Sequence, residues 1–261
     1  MEPLSSRGAL AVSGIAGLMP AIAPTVVLRA APPADVGPVG PHGRAPTVQC
    51  MLLDTLASLL QTPPPERPAN TVEYFPGFGV LFTAPHAAPH ALHPAPHAGG
   101  ARKKHDGATG QMAQTLSTHT GAAALVARPP WTGNANADPL ELCPFKQRMV
   151  ELIESGSVHT VVDLHGMASH HGIDVCIGIG YDTLEDPIER LCGLLDEAGL
   201  SWGVNKPFAG RGAGTVRSNA RTAGAGALQL EIGPACRNPL ATPEQTAALL
   251  NTLSKFARSL T

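Results

Sequence analysis

The stretch Val158-His-Thr-Val-Val-Asp-Leu-His165 decides the fold, because it predicts a buried strand over Val158–Leu164 that ends in polar residues. Short apolar runs bounded by Gly, Pro or His are typical of central strands in a sheet that is covered on both faces. Three other runs have the same character and predict further strands of this sheet: Gly79–Thr83, Ile173–Ile179 and Ala227–Ile232.

Helical patterns alternate with these strands. Apolar residues recur at helical spacing over Thr47–Gln61, and a last helix is predicted from Thr242. The segments Asp138-Pro-Leu-Glu141 and Asp186-Pro-Ile-Glu189 have the residues of a helix capping box, and Gly199 predicts the end of the second of these helices. This alternation predicts an α/β fold with three layers, in which a mostly parallel or mixed central sheet has helices on both faces.

Composition and charge limit the classes of protein to consider. The chain has 261 residues and a formal net charge of -2 at pH 7, with 15% charged residues. The strong positive field that attracts nucleic acid or an anionic membrane is missing, so we expect neither partner. Residues 1–46 are rich in Ala, Pro and Gly and predict a partly irregular N-terminal extension, whereas residues 47–261 predict a single α/β domain.

Cysteine usage and the N-terminal apolar segment bear on the compartment. The five cysteines are widely spread and contain no CxxC pair, which is typical of a reducing compartment. The stretch Ala9–Ala30 is interrupted by Pro20 and Pro24, so it predicts neither a membrane span nor a well-organised signal peptide. We therefore expect a cytoplasmic protein, and the sequence leaves its oligomeric state open.

Polar residues at strand ends are the candidate functional residues, because ligands of an open α/β sheet bind beyond the carboxyl ends of its strands. His86 and His165 each end a predicted strand, and Glu231 lies within an apolar one, where a carboxylate is costly to bury unless it is paired or functional. Asp106 precedes a helical pattern and supplies a further carboxylate. Two histidines and a carboxylate with an open fourth position form a common catalytic zinc shell.

Each candidate also has a structural alternative. His86 and His165 could be hydrogen-bonded core histidines, and Asp106 could cap the following helix instead of binding a metal. Asp163 faces the same side of its strand as His165, so it could orient that imidazole or make a purely structural hydrogen bond.

Four stretches together resemble the N-formylglutamate amidohydrolase family: Pro85-His86, His105-Asp106-Gly107-Ala108, Asp163-Leu164-His165-Gly166, and Gln229-Leu230-Glu231-Ile232 followed by Arg237. The resemblance implies the phosphorylase/hydrolase-like fold that this family shares with the zinc carboxypeptidases. It also implies one Zn²⁺ per chain bound by His86, Asp106 and His165, with Glu231 as the catalytic glutamate.

The sequence departs from the related patterns at two points. Carboxypeptidases and aspartoacylases have a glutamate three residues after the first histidine, where this chain has Pro89, so the acidic ligand has to come from elsewhere in the chain. The resemblance implies Asp106 in that role. The amidohydrolases carry an Asp-x-Asn-Arg segment, where this chain has Asn134-Ala-Asn136-Ala-Asp138. That segment offers Asn136 for substrate binding but no adjacent arginine.

The segment 208–221 contains candidates for binding the substrate and the oxyanion. Its arginines are Arg211, Arg217 and Arg221, and the planar fork of arginine binds two oxygens of a carboxylate at once. The spacing leaves open which of the three faces the metal. Glycines in the same segment predict a flexible loop that could serve as a lid.

A second predicted loop contains the other crowded histidines. His90, His93 and His97 lie among prolines, which exclude a helix and predict a mobile loop beside the site instead of further ligands.

The predicted function is zinc-dependent hydrolysis of the C–N amide bond of an N-acyl amino acid or a short peptide, with Glu231 as general base for water that the metal activates. The expected partner is thus a small-molecule or peptide substrate. Two alternatives stay open: a metallopeptidase like the carboxypeptidases or poly-gamma-glutamate hydrolases, and a non-catalytic binding module on the same fold. A Ser or Cys nucleophile is not expected, because no Gly-x-Ser-x-Gly segment occurs and Cys176 and Cys236 lack a recognisable partner.

Overall fold

The computed structural model describes residues 26–28, 47–63, 65–91, 102–183 and 186–261. Within the predicted extension 1–46 it describes one short strand, Val26–Leu28. The rest of that extension, and His93 and His97, lie outside the described residues, so the division of the chain at residue 46 stays a prediction. Among the described residues, no helix combines the length and the apolar character needed to cross a membrane.

Among the described residues, eight strands form one mixed sheet. They are β1 (Val26–Leu28), β2 (Val72–Phe75), β3 (Gly79–Ala84), β6 (Ala123–Ala127), β7 (Val158–Gly166), β8 (Val175–Gly178), β9 (Trp202–Val204) and β10 (Gly226–Ile232). Two short strands, β4 (His90–Ala91) and β5 (Arg102–Lys103), form a separate antiparallel pair. The order across the large sheet is β1-β2-β6-β3-β7-β10-β8-β9, and the central strands β6, β3, β7 and β10 are parallel.

In the part of the chain that the structure describes, six α-helices cover the two faces of the sheet. They are α1 (Val48–Gln61), α2 (Thr109–Thr120), α3 (Pro144–Glu154), α4 (Asp186–Glu197), α5 (Val216–Thr222) and α6 (Pro243–Arg258). Side chains of α1, α2, α4 and α6 form one buried cluster with the sheet, in which Leu56 and Met112 join Phe82. Helices α3 and α5 contribute to a second cluster that includes Phe145 and Val161. The predicted three-layer α/β fold is therefore confirmed.

The four predicted strands are present as β3, β7, β8 and β10, with ends that agree to within two residues. The sequence does not predict β2, β6 and β9. Strand β6 has the sequence Ala-Ala-Leu-Val-Ala, and alanine is depleted in strands because it offers little side chain to pack on a pleated surface. In this protein β6 is a strand because it fills the position between β2 and β3, with every residue buried.

The predicted end of α4 at Gly199 is correct. Gly199 has a φ of 68°, in the left-handed region that favours glycine. Its N–H donates to the carbonyl of Asp196 at 3.0 Å, and the N–H of Leu200 donates to that of Leu195 at 3.0 Å. These are the two hydrogen bonds of a Schellman motif.

The predicted capping box at Asp138 is wrong. A 3₁₀ turn over Leu140–Leu142 follows it, and α3 begins only at Pro144. The Oδ2 of Asp138 accepts a hydrogen bond from the backbone N–H of Asn134 at 2.8 Å, so this carboxylate closes the preceding loop instead of starting a helix.

The sheet topology brings the predicted site residues to one edge. Strands β3, β7 and β10 are adjacent and parallel, so their carboxyl ends point in the same direction. Thr83 of β3 pairs with Asp163 of β7, and His165 of β7 pairs with Glu231 of β10. His86, two residues beyond β3, therefore lies at the same edge as His165 and Glu231.

Candidate metal centre

Three side chains from distant parts of the chain meet at this edge: His86, Asp106 and His165. Their ligand atoms all lie within 4.8 Å of one another. The Oδ2 of Asp106 is 3.6 Å from Nδ1 of His86 and 3.4 Å from Nδ1 of His165. All three residues are buried, with exposed fractions of 6%, 6% and 2%.

The backbone places Asp106 against His86. The N–H of Asp106 donates to the carbonyl of His86 at 2.8 Å, which fixes the two segments side by side. The residue at the N-cap of α2 is Ala108, with φ 68°, and no side chain caps that helix. The carboxylate of Asp106 therefore does not cap the helix and is directed at the two imidazoles.

Hydrogen bonds at Nε2 of each imidazole direct its Nδ1 toward Asp106. Nε2 of His165 lies 2.9 Å from Oδ2 of Asp163, whose Oδ1 accepts a hydrogen bond from the Thr83 hydroxyl at 2.7 Å. Nε2 of His86 lies 3.2 Å from Oδ1 of Asn134. When Nε2 donates in each pair, Nδ1 carries the lone pair and faces the centre, which is the arrangement of a metal-binding histidine with an outer partner.

The residues present fit a metal ion. Nδ1 of His86 and Oδ2 of Asp106 are buried atoms with no hydrogen-bond partner in the part of the chain that the structure describes, although buried polar atoms are nearly always paired. Groups bound to tetrahedral Zn²⁺ at about 2.1 Å lie about 3.4 Å from one another. The 3.4 and 3.6 Å separations around Oδ2 of Asp106 agree with that spacing.

Burial and mutual contacts shift the pKa values of the three residues in the cluster. Burial disfavours the charged imidazole and lowers the pKa of His86. Burial acts in the same way on His165, but attraction by Asp163 and contact with Asp106 outweigh it and raise the pKa of His165 well above its ordinary value. Burial would raise the pKa of Asp106, and its contacts with His165 and His86 outweigh this and lower it. A positive charge on His165 is therefore stabilised by Asp163 and Asp106, whereas burial disfavours one on His86.

Glu231 lies beside this cluster on a cavity of about 370 Å³. The cavity is lined by Asp106, Glu231, Arg237 and neighbouring residues that include Lys104 and Phe208. Glu231 is half-buried, and its Oε1 accepts a hydrogen bond from the Gln229 amide at 2.8 Å. A carboxylate at the wall of a cavity that borders the candidate ligands can exchange protons with a molecule bound there.

The predicted substrate-binding arginines lie elsewhere, and none of them lines this cavity. The guanidinium of Arg217 binds the carbonyl of Ile179 and the carboxylate of Asp182, which also pairs with Arg221 at 3.3 Å. Arg211 lies over the ring of Tyr181, 4.9 Å from its centroid. Arg237 lines the cavity instead. The sequence analysis noted this arginine only because it follows Glu231 closely in the chain.

Asn136 contacts His165 on the side of the ring that faces away from Asp106. Its Nδ2 is 3.2 Å from Nε2 of His165, and its Oδ1 accepts a hydrogen bond from the backbone N–H of Val216 at 2.9 Å. The amide therefore contacts the outer side of a candidate ligand and the start of α5. Asn136 is not among the residues that line the cavity beside Asp106 and Glu231, and its role in substrate binding stays a prediction.

His90 was expected in a mobile loop, and its structure is different. It begins β4, is buried, and stacks on the ring of His86 with centroids 3.6 Å apart and planes inclined by 7°. The stacked ring fixes the plane of His86. Sequence reasoning missed this role, and the only signal for it was the proximity of the two histidines in the chain.

Part of the chain is similar to a known protein family. A family model for N-formylglutamate amidohydrolase matches residues 142–236, about a third of the chain, and that segment includes His165 and Glu231. Comparison with curated proteins finds no significant match.

Solved structures with a similar fold include a gene product from Agrobacterium tumefaciens, with a TM-score of 0.50 and 20% identity over 72% of this chain and 94% of that chain. A bacteriophage poly-gamma-glutamate hydrolase has a TM-score of 0.48 and 14% identity over 76% of this chain and 90% of that chain. An N-formylglutamate amidohydrolase from Ralstonia eutropha JMP134 has a TM-score of 0.45 and 15% identity over 70% of this chain and 93% of that chain.

The family-model match supports the family resemblance, and the structural match supports the fold. The family match confirms the resemblance to N-formylglutamate amidohydrolases over residues 142–236, and it supports a hydrolase that acts on C–N bonds. The similarity to the A. tumefaciens structure supports the fold.

Proposed function

We propose that this protein is a zinc-dependent amidohydrolase that cleaves the C–N amide bond of an N-acyl amino acid or short peptide. The observation that carries the proposal is the convergence of His86, Asp106 and His165 beside a cavity lined by Asp106 and Glu231. Two of the buried ligand atoms have no hydrogen-bond partner among the described residues. The family match over residues 142–236 supports the same reaction class.

The donor set favours zinc. Two imidazole nitrogens and one carboxylate oxygen are typical protein ligands of catalytic Zn²⁺, and His86, Asp106 and His165 would supply them. Bound there, zinc would polarise an amide carbonyl and lower the pKa of a bound water to about 7.

Glu231 moves the proton in the proposed reaction. Its carboxylate accepts a proton from the attacking water as the new C–O bond forms, and it then gives that proton to the leaving nitrogen as the C–N bond breaks. The products are a carboxylic acid and an amine, so the proton taken from water is the one that the amine receives. The hydrogen bond from Gln229 to Oε1 holds the carboxylate while it does so.

The cavity favours a substrate with a negative group. Lys104 and Arg237 line the cavity together with Asp106 and Glu231, and both carry positive charge. A carboxylate on the acylated amino acid would be attracted to them, and a volume of about 370 Å³ suits a small molecule or the end of a peptide.

Metal analysis and a substrate panel test the proposal. We expect protein purified without chelators to contain zinc and His165→Ala to contain little, as measured by elemental analysis. We expect hydrolysis of at least one N-formyl, N-acetyl or N-succinyl amino acid in a panel that also contains α- and γ-linked peptides. No metal in the wild-type protein would overturn the mechanism, and cleavage of peptides alone would make the protein a metallopeptidase.

A further inference from the structure

Arg237 donates three hydrogen bonds, and all three acceptors are backbone carbonyls. Its Nη1 donates to Gly107 at 2.6 Å, its Nη2 to Met167 at 3.2 Å, and its Nε to Ile232 at 2.9 Å. The guanidinium therefore binds the backbone on three sides instead of pairing with one side chain.

The three carbonyls belong to the segments that carry the candidate site residues. Gly107 directly follows Asp106, Met167 comes two residues after His165, and Ile232 directly follows Glu231. Gly107 and Met167 are 130 and 70 residues from Arg237 in the chain. One side chain thus connects three segments that the sequence keeps far apart.

Gly166 shows that the position of the guanidinium is fixed by packing. A Cβ atom on Gly166 would lie 2.7 Å from Cζ of Arg237 and 2.9 Å from both of its Nη atoms. The guanidinium consequently lies against the backbone of Gly166, next to His165, at a distance that only glycine permits.

We propose that Arg237 is a positioning residue that holds Asp106, His165 and Glu231 in register through the backbone that follows each of them. The inference rests on the proposed function, because its consequence for metal binding needs His86, Asp106 and His165 to be the ligands. Only arginine suits this task, since its planar fork presents donors in several fixed directions, whereas lysine presents them from one atom.

We expect substitution of Arg237 to lower metal affinity as well as turnover. Groups that hold metal ligands in place typically change metal affinity by about 10–100-fold when they are removed. Arg237→Met keeps an unbranched apolar stem and removes all three donors, so it should weaken Zn²⁺ binding by an amount in this range. Arg237→Lys can restore only part of the contacts and should give an intermediate affinity.

The experiment measures Zn²⁺ affinity by competition with a chromophoric chelator, and amide hydrogen exchange of the metal-free proteins over segments 104–108 and 165–168. Arg128→Met is the matched control, because Arg128 is also half-buried but binds the side chains of Glu73 and Gln114. We expect faster exchange in both segments and weaker Zn²⁺ binding for Arg237→Met only.

The outcomes separate this inference from the proposed function. Wild-type affinity together with unchanged exchange in Arg237→Met would overturn the positioning role, even if the wild-type protein binds zinc. Failure of the wild-type protein to bind Zn²⁺ would overturn the proposed function, and the exchange comparison would still decide whether Arg237 holds the segments. If Arg237→Met does not fold, Arg237→Lys provides the same two measurements.

Discussion

At the scale of single residues, the outer hydrogen bonds of the two histidines decide what the cluster can bind. Asp163 contacts Nε2 of His165 and accepts from the hydroxyl of Thr83, so its carboxylate is fixed at both oxygens. This geometry favours the orienting role for Asp163, because it directs Nδ1 of His165 toward Asp106 at 3.4 Å.

Asp163→Asn should weaken metal binding while leaving the fold intact. The substitution keeps the shape of the side chain but removes the charge that orients His165, so we expect Zn²⁺ affinity to fall by about 10–100-fold. Competition with a chelator measures the change. Thr83→Val is the control, because it removes only the hydroxyl that supports Asp163 and should have a smaller effect. Equal affinities for Asp163→Asn and the wild type would contradict the orienting role.

Glu231→Gln should retain zinc and lose turnover. The amide is isosteric with the carboxylate but cannot accept the proton of water, and removing a general base typically costs about 10²–10⁴-fold in rate. Elemental analysis and steady-state kinetics on the same preparation give both quantities. Loss of the metal with Glu231→Gln would instead make Glu231 a ligand, and near wild-type turnover would remove it from the chemistry.

The sequence indicates some of these residues and not others, for a physical reason. His165 and Asp163 stand out because they end an apolar strand, which is a local pattern. Asn134 and Arg237 act through partners that are 48 and 130 residues away, and no local pattern records such contacts. The direction of a long side chain depends on the fold around it.

At the scale of elements, the two glycines of the α4 region have opposite roles. Gly199 has a φ of 68° at the end of the helix, whereas Gly193 lies within the helix in an ordinary conformation, and a Cβ there would meet nothing within 4 Å. We expect Gly199→Ala to lower the free energy of unfolding by about 1 kcal/mol, because alanine is strained in the left-handed region. Gly193→Ala should raise it by about 0.5–1 kcal/mol, because alanine has the higher helix propensity.

Denaturant unfolding of the two alanine variants provides a matched comparison. Both changes add one methyl group to the same exposed region, so a shared effect of the methyl group would move both stabilities in the same direction. Stabilisation by Gly199→Ala would contradict the Schellman end of α4. Zn²⁺ affinity should be unchanged in both variants, since neither glycine lies near the candidate ligands.

Local sequence patterns predict some features of the elements and not others. Apolar runs predicted the buried strands well, because burial on both faces leaves a clear pattern. The binding partner of the arginines of α5 could not be predicted from such a pattern. Arg217 and Arg221 are four residues apart on one helix face, and both bind Asp182, a loop residue that the helical pattern cannot reveal.

At the scale of the whole molecule, the candidate metal centre joins parts of the chain that are otherwise separate. His86 follows β3, Asp106 precedes α2, and His165 ends β7, so the three ligands come together only in the folded sheet. An unfolded chain does not hold them within reach of one ion. Metal binding at this candidate centre would therefore be linked to folding, and such a linkage is measurable without any substrate.

Zinc should consequently raise the thermal stability of the wild-type protein. A ligand that binds only the folded state at 100 times its Kd raises the free energy of unfolding by about 2.7 kcal/mol. For a domain of this size that corresponds to an increase in Tm of about 5–10 °C. Calorimetry of chelator-treated protein, with and without added Zn²⁺, measures the shift. His165→Ala should abolish it, whereas Gly193→Ala should preserve it. A shift of equal size in His165→Ala would show that the ion binds elsewhere, since that variant lacks one of the three ligands on which the stabilisation depends.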